Sequence, residues 1–326
     1  LPRAIQDRGG WPNRDCADWF AEYAQVVFER LGDRVALWST HNEPHVIAYA
    51  GYASARFAPG IADYSQAYQS IHHLLLAHGK AVQTFRAGGS PGSIGIVIYF
   101  GNYLPASESE ADRAACQRAY ENMSAIFGDP LFKGRYPEAL FEWIGPHAPR
   151  IEEGDMAVIS QPMDFLGVNH YFTVQVAFDH HGDLLKLSER QVSAPHWGYT
   201  SMGWGVNPDG IRATLFDLKT RYDNPPMYIT ENGCAVADAP DTQGFVADWR
   251  RVDYLRAHIR AVHQAIQAGV DVRGYYVWSL LDNFEWASGY GPRFGIVRVD
   301  YDTLVRTPKQ SAHWYSEVIA RNGLAD

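Results

Sequence analysis

The chain has little cysteine, no excess of basic charge and no long apolar run, and each shortage removes a class of function. Its three cysteines, Cys16, Cys116 and Cys234, are odd in number and widely spaced. They make neither the paired knuckles of a zinc module nor the dense bridges of a small secreted scaffold. Three small buried thiols are expected, and a cytoplasmic location is favoured over secretion. Acidic residues number 37 against 28 basic ones, a formal net charge of -9 at pH 7. Nothing in that balance draws the chain to a phosphate backbone or an anionic membrane surface, so no nucleic-acid or membrane partner is expected. No stretch approaches the roughly 20 apolar residues that span a bilayer; Leu1-Pro2-Arg3 does not read as a natural beginning, so secretion is not excluded. Low-complexity tracts and collagen-like periods are missing too, which excludes a fibre or a disordered chain.

What is present is material for a substantial core: 326 residues, 46% hydrophobic and 13% aromatic, enough for one large or two smaller domains. Trp19, Tyr23, Val26, Val27, Arg30 and Leu31 trace an amphipathic helix over 15–31, and Gly32 can end it. The run Val35-Ala36-Leu37-Trp38 reads as a buried strand that leads into His41-Asn42-Glu43-Pro44. The alternation repeats, with helices expected over 64–85, 108–127, 210–222 and 249–268 and strands centred on Ile96, Leu166, Ile229 and Val277. Helices alternating with buried strands imply a parallel sheet under helical cover, and polar residues after several strands fit the active face of a barrel. Between these elements, 88–92 is a breaker-rich turn, while 128–161 and 179–198 read as long site loops.

Two carboxylates stand where such a face would use them. Glu43 follows one apolar strand and Glu231 another, each beside an asparagine. A pair of carboxylates can cleave a glycosidic bond when one attacks the anomeric carbon and the other protonates the departing oxygen; retention of configuration needs them roughly 5 to 5.5 Å apart. Taken singly, each glutamate reads equally well as a cap or a solvated side chain. Trp204, Trp278 and Trp286 offer apolar platforms, and Asn42, Asn169 and Glu285 offer polar contacts for a small ligand, although a lone tryptophan is more often packing. His41 and His45 have a metal-helix spacing, but Asn42 stands where a glutamate is required and Pro44 opposes the helix. Neither a metal nor an organic cofactor is expected. Asn122-Met123-Ser124 matches a glycosylation acceptor, a short and weak motif.

The motifs Thr40-His41-Asn42-Glu43-Pro44, Tyr228-Ile229-Thr230-Glu231-Asn232-Gly233 and Asp282-Asn283-Phe284-Glu285-Trp286 together resemble glycoside hydrolase family 1, the β-glucosidase family. The tail from Gly289-Tyr290 through Arg306-Thr307-Pro308-Lys309 and Trp314-Tyr315 continues the likeness. The resemblance implies a TIM (β/α)8 barrel. On that reading the chain is a single catalytic barrel domain over 1–326, with strands 4 to 8 represented, strands 1 to 3 absent and the N-terminus incomplete. The absence is inferred from Leu1-Pro2, which resembles the end of a family segment after the third strand. A complementary N-terminal portion is then expected as a partner to complete the pocket, along with a small β-glycoside as substrate.

The same resemblance implies the roles. Glu43 would be the acid/base and Glu231 the nucleophile, an order the residues alone leave open. Asn42 would contact the sugar 2-hydroxyl and Tyr171 the nucleophile; Asn169 and Trp204 would line the pocket, Trp278 would floor it, and Glu285 with Trp286 would recognise hydroxyls around positions 3, 4 and 6. Family members specific for 6-phosphorylated sugars carry a serine in place of Glu285, and a lysine and a tyrosine in place of Pro292 and Phe294, so an unphosphorylated sugar is expected. Glucose comes first, with galactose and fucose as further glycons. A transglycosidase using the same covalent intermediate and a noncatalytic sugar-binding fragment are the alternatives.

Overall fold

A computed structural model describes residues 1–89 and 91–325; Ser90, inside the expected turn at 88–92, and Asp326 lie outside the described residues. In chain order the strands are β1 (Leu37–Asn42), β2 (Ser93–Tyr99), β3 (Asn102–Pro105), β4 (Phe165–Asn169), β5 (Thr173–Phe178), β6 (Leu187–Val192), β7 (Met227–Asn232), β8 (Val272–Val277), β9 (Val297–Val299) and β10 (Arg306–Pro308). The chain divides into two compact units. The first comprises Leu1–Phe100, Pro105–Val168 and Ala177–Ser188; the second comprises Gly101–Leu104, Asn169–Val176 and the chain from Glu189 onward.

In the first unit β1 runs parallel to β2, with Leu37 opposite Ser93, Trp38 opposite Ile94 and Ser39 opposite Gly95. β2 in turn neighbours β4. Both are apolar almost throughout, and β2 from Ile94 on and all of β4 are buried, as parallel strands covered on two faces should be. A Cβ on Gly95 would lie 2.3 Å from the Phe165 carbonyl oxygen, so the missing side chain is what lets these backbones approach. Helix Tyr64–Ala87 starts at Asp63, whose carboxylate accepts the Ser65 and Gln66 N–H groups. Its Ala81, Val82 and Phe85 pack with Ala24 and Phe28 of helix Asp15–Leu31 and with Ile94. Edge-to-face contacts of Phe28 with Trp38 at 5.0 Å and with Phe85 at 5.1 Å lock that core.

In the second unit β7 and β8 are parallel, with Tyr228 opposite Gly274 and Ile229 opposite Tyr275. Helix Pro208–Arg221 begins with a proline, which needs no partner for a backbone N–H at that position. Helix Trp249–Gln267 contributes Tyr254 and Leu255 to a core with Val206, Cys234 and Ile296, against which Trp197, Val277 and Trp314 pack.

Two expectations change. The passage 128–161 holds helices Ile126–Lys133, Glu138–Ile144 and Asp155–Ile159, and 179–198 holds β6. Elements of one or two turns are too short for hydrophobic periodicity to show, and Gly134, at φ 63°, closes the first of them by a left-handed cap. The description of the fold as a remnant, strands 4 to 8 without strands 1 to 3, is also corrected. β2 and β4 are buried, β1 and β8 are partly exposed, and β1 with β2 and β7 with β8 pair in parallel; the fold is α/β and TIM-barrel-like.

Candidate active site

β1 loses its regular pairing with β2 between Ser39 and Asn42. Glu43 follows at φ 49°, a left-handed conformation that costs a non-glycine residue roughly 1–2 kcal/mol and that clusters at functional positions. Its backbone is held on both sides, the N–H donating to Val97 O at 3.0 Å and the carbonyl accepting from Val46 N at 2.9 Å. The carboxylate is half-buried, and Asn42 beside it is exposed. The neighbouring histidines are packing groups. His41 stacks on Phe20 with ring centroids 4.4 Å apart, and burial pushes it down to about 4. Burial pushes His45 down to about 3. Both are therefore neutral at neutral pH.

The rest of the expected site belongs to the second unit. β7 departs from regular pairing between Ile229 and Asn232, at the residues that flank Glu231. The Tyr171 hydroxyl donates to Glu231 Oε2 at 2.6 Å, and the His170 N–H donates to the Glu231 carbonyl at 3.0 Å. A phenol hydrogen-bonded to a carboxylate favours the charged form and fixes its rotamer. Thr230 Oγ1 donates to Asn169 Oδ1 at 2.7 Å, which leaves the buried Asn169 amide oriented. Trp204 lies edge-on to Tyr171 at 5.2 Å and tilted against Phe294 at 5.6 Å.

Trp278 follows β8, and its N–H donates to Asn232 O at 3.0 Å. The backbones touch here: a Cβ on Gly233 would sit 1.8 Å from the Trp278 carbonyl oxygen, so only glycine fits. Glu285 is half-buried, and its carboxyl is pushed above the usual glutamate range by burial and then by the charge of Glu231. The two carboxylates are thus electrostatically coupled. Trp286 is 64% exposed, the one expected platform that stands largely in solvent.

Sequence reasoning missed what holds Glu285 in place. Asp282, three residues earlier, accepts from Gly295 N at 3.0 Å, Arg293 Nη1 at 3.0 Å and Lys309 Nζ at 3.1 Å. Lys309 is fully buried and also donates to Asp238 Oδ2 at 2.8 Å, where Arg251 Nη1 and Nη2 converge at 3.1 Å. Arg251 pairs with Asp248 as well, and Asp248 takes Ser311 N at 2.8 Å. Arg251 is a buried cation inside an otherwise amphipathic helix, a signal the sequence did carry. Asn122, by contrast, is buried and its Oδ1 accepts from Tyr49 and Tyr68 at 2.9 and 2.8 Å, so the folded chain does not present it as a glycosylation acceptor.

The sequence model of glycosyl hydrolase family 1 matches residues 1–324. A 1,4-beta-D-glucan glucohydrolase of Thermotoga neapolitana is 46% identical over 100% of this chain and 73% of its own. A bifunctional beta-D-glucosidase/beta-D-fucosidase of Bifidobacterium breve is 38% identical over 96% of this chain and 70% of its own. The solved family 1 β-glucosidase of Thermotoga maritima superposes with a TM-score of 0.95 at 46% identity, covering 100% of this chain and 73% of that one. The family match along residues 1–324 gives no support to a separate complementary chain as a partner, and that expectation is corrected; the chain spans 73% of the length of these Thermotoga relatives. With family sequence matched along residues 1–324 and family backbone matched along the whole chain, this protein belongs to glycosyl hydrolase family 1.

Proposed function

We propose that this family 1 glycosidase hydrolyses terminal nonreducing β-D-glucosyl bonds with net retention, Glu231 being the nucleophile and Glu43 the acid/base. The observation that carries the reading is the Tyr171 hydroxyl on Glu231 at 2.6 Å, which favours the ionised carboxylate that a nucleophile requires. Relatives named as β-glucosidases at 46% and 39% identity support glucose as the first glycon, and the bifunctional relative supports fucose as a second.

In this mechanism Glu231 attacks the anomeric carbon from the face opposite the aglycon, while Glu43 gives its proton to the glycosidic oxygen. The covalent α-glucosyl ester on Glu231 is then opened by water, whose proton returns to Glu43, and two inversions give retention. Glu285 and Trp286, with Asn42, Asn169, Trp204 and Trp278, supply hydroxyl contacts and apolar surface to the glucose ring. Unphosphorylated sugars are preferred, because the Glu285 carboxylate repels a phosphate dianion.

Chemical rescue separates the two glutamates. With azide, Glu43→Gly should form β-glucosyl azide from an activated aryl glucoside, and Glu231→Gly should form α-glucosyl azide from β-glucosyl fluoride. Exchanged products would reverse the roles. Absence of turnover by the parent enzyme on aryl β-glycosides, or an α-anomer as first product by NMR, would defeat the reading itself.

A further inference from the structure

The hydrogen bonds behind Glu231 gather on a single peptide group. Asn232 is fully buried, and its Nδ2 donates to His170 O at 2.6 Å and to the Tyr254 hydroxyl at 3.1 Å. Its Oδ1 accepts from the Tyr275 hydroxyl at 2.6 Å. An amide has one oxygen to offer and one NH2. Rotated by half a turn, Asn232 would press its oxygen against the His170 carbonyl oxygen, two acceptors face to face. Tyr275 blocks that turn by occupying the oxygen, and its own backbone carbonyl is tied by the Tyr315 hydroxyl at 2.8 Å.

From these contacts we infer that Asn232 and Tyr275 are positioning residues for the nucleophile, acting through the His170–Tyr171 peptide that delivers the Tyr171 hydroxyl to Glu231. The inference rests on the nucleophile role proposed above. The chain forms a closed ring: His170 N–H to the Glu231 carbonyl, His170 carbonyl to the Asn232 amide, and Tyr171 hydroxyl to the Glu231 side chain. Strand pairing alone would hold β7 against its neighbours. The additional bond to the His170 carbonyl sets the tilt of one peptide plane, and that plane aims the next side chain. Losing the aim loses the hydrogen bond to the carboxylate, which raises the pH at which Glu231 ionises.

The test is a double-substitution cycle in the full chain with 4-nitrophenyl β-D-glucoside as substrate, joined to a crystal structure of Tyr275→Phe. Tyr275→Phe should lower kcat/KM about tenfold, with KM changed less than about twofold, and should move the acid limb of kcat/KM to higher pH, as Tyr171→Phe should. In the Tyr171→Phe background the same change should cost less than about twofold, because its target is already gone. Asn232→Leu, of similar volume, removes all three bonds and should exceed Tyr275→Phe in the same direction. The crystal structure should show the residue-171 hydroxyl withdrawn from Glu231 beyond hydrogen-bonding distance. Additive effects, an unmoved acid limb with only a lower melting temperature, or an intact Tyr171–Glu231 bond in the variant crystal would each overturn the inference. A parent enzyme without turnover would count against the glucosidase reading alone, and the crystal structure would still decide the positioning role.

Discussion

Glu285 feels two effects of the same sign, burial and the negative charge of Glu231, and both hold its carboxyl above the usual glutamate range. Replacing Glu231 by Gln removes the second and leaves the first, so the Glu285 titration followed by carbon NMR should move to lower pH without returning fully to the usual glutamate range. An unchanged titration would mean that burial acts alone. Lys309 makes the complementary case. Burial and the neighbouring Arg251 charge push its ammonium down, while Asp238 and Asp282 hold it charged. Lys309→Met would leave those carboxylates short of a cation in a dry site, and breaking a buried pair by removing one partner costs about 3–5 kcal/mol. Urea unfolding should show a loss of that size, accompanied by weaker turnover because Asp282 anchors the segment that carries Glu285. A loss below about 1 kcal/mol would mean that water reaches the cluster.

Among the elements, the ends of β1 and β7 matter more than their middles. Each strand leaves regular pairing within a few residues of a glutamate, and irregular pairing is how a sheet re-aims a side chain at its edge of use. Gly233, next after β7, meets Trp278 so closely that any Cβ must push a backbone aside. Gly233→Ala should therefore lower the unfolding midpoint and reduce kcat together, since the displaced segment carries Trp278; a variant of native stability and activity would refute the contact. Helix Tyr64–Ala87 offers a milder test. Asp63 caps it through Ser65 and Gln66, so Asp63→Ala should cost about 1 kcal/mol in urea unfolding and leave turnover unchanged. The strand and helix cores were legible from periodicity because each runs long enough to repeat its pattern. The short helices within 126–159 were not, and neither were the bends that follow β1 and β7, which depend on the neighbouring strand.

For the molecule as a whole, acid stability follows from histidines buried without charge. Burial pushes His41 and His73 down to about 4, and His45, His78 and His258 down to about 3. The unfolded chain takes up these protons from about pH 6.5 downward, and the folded chain does not. Their contribution is complete above about pH 6.5 and is lost progressively as pH falls through the folded values. Urea midpoints should therefore drop steeply between pH 6.5 and pH 4 and change little from pH 7 to pH 8; a flat acid limb would mean that these rings gain protons in the folded state. The sequence by itself determined the alternation of helices and strands, the two glutamates at strand ends, and the family, because local pattern and contiguous motifs survive in one dimension; the strand expected to be buried at 35–38 is partly exposed. Only the tertiary structure decided that Asn232 grips His170, 62 residues away, that Tyr275 sets its amide from 43 residues away, and that Lys309 joins Asp238 to Asp282. Such partners are chosen by which strand lies beside which, and no local preference encodes a neighbour that folding alone brings near.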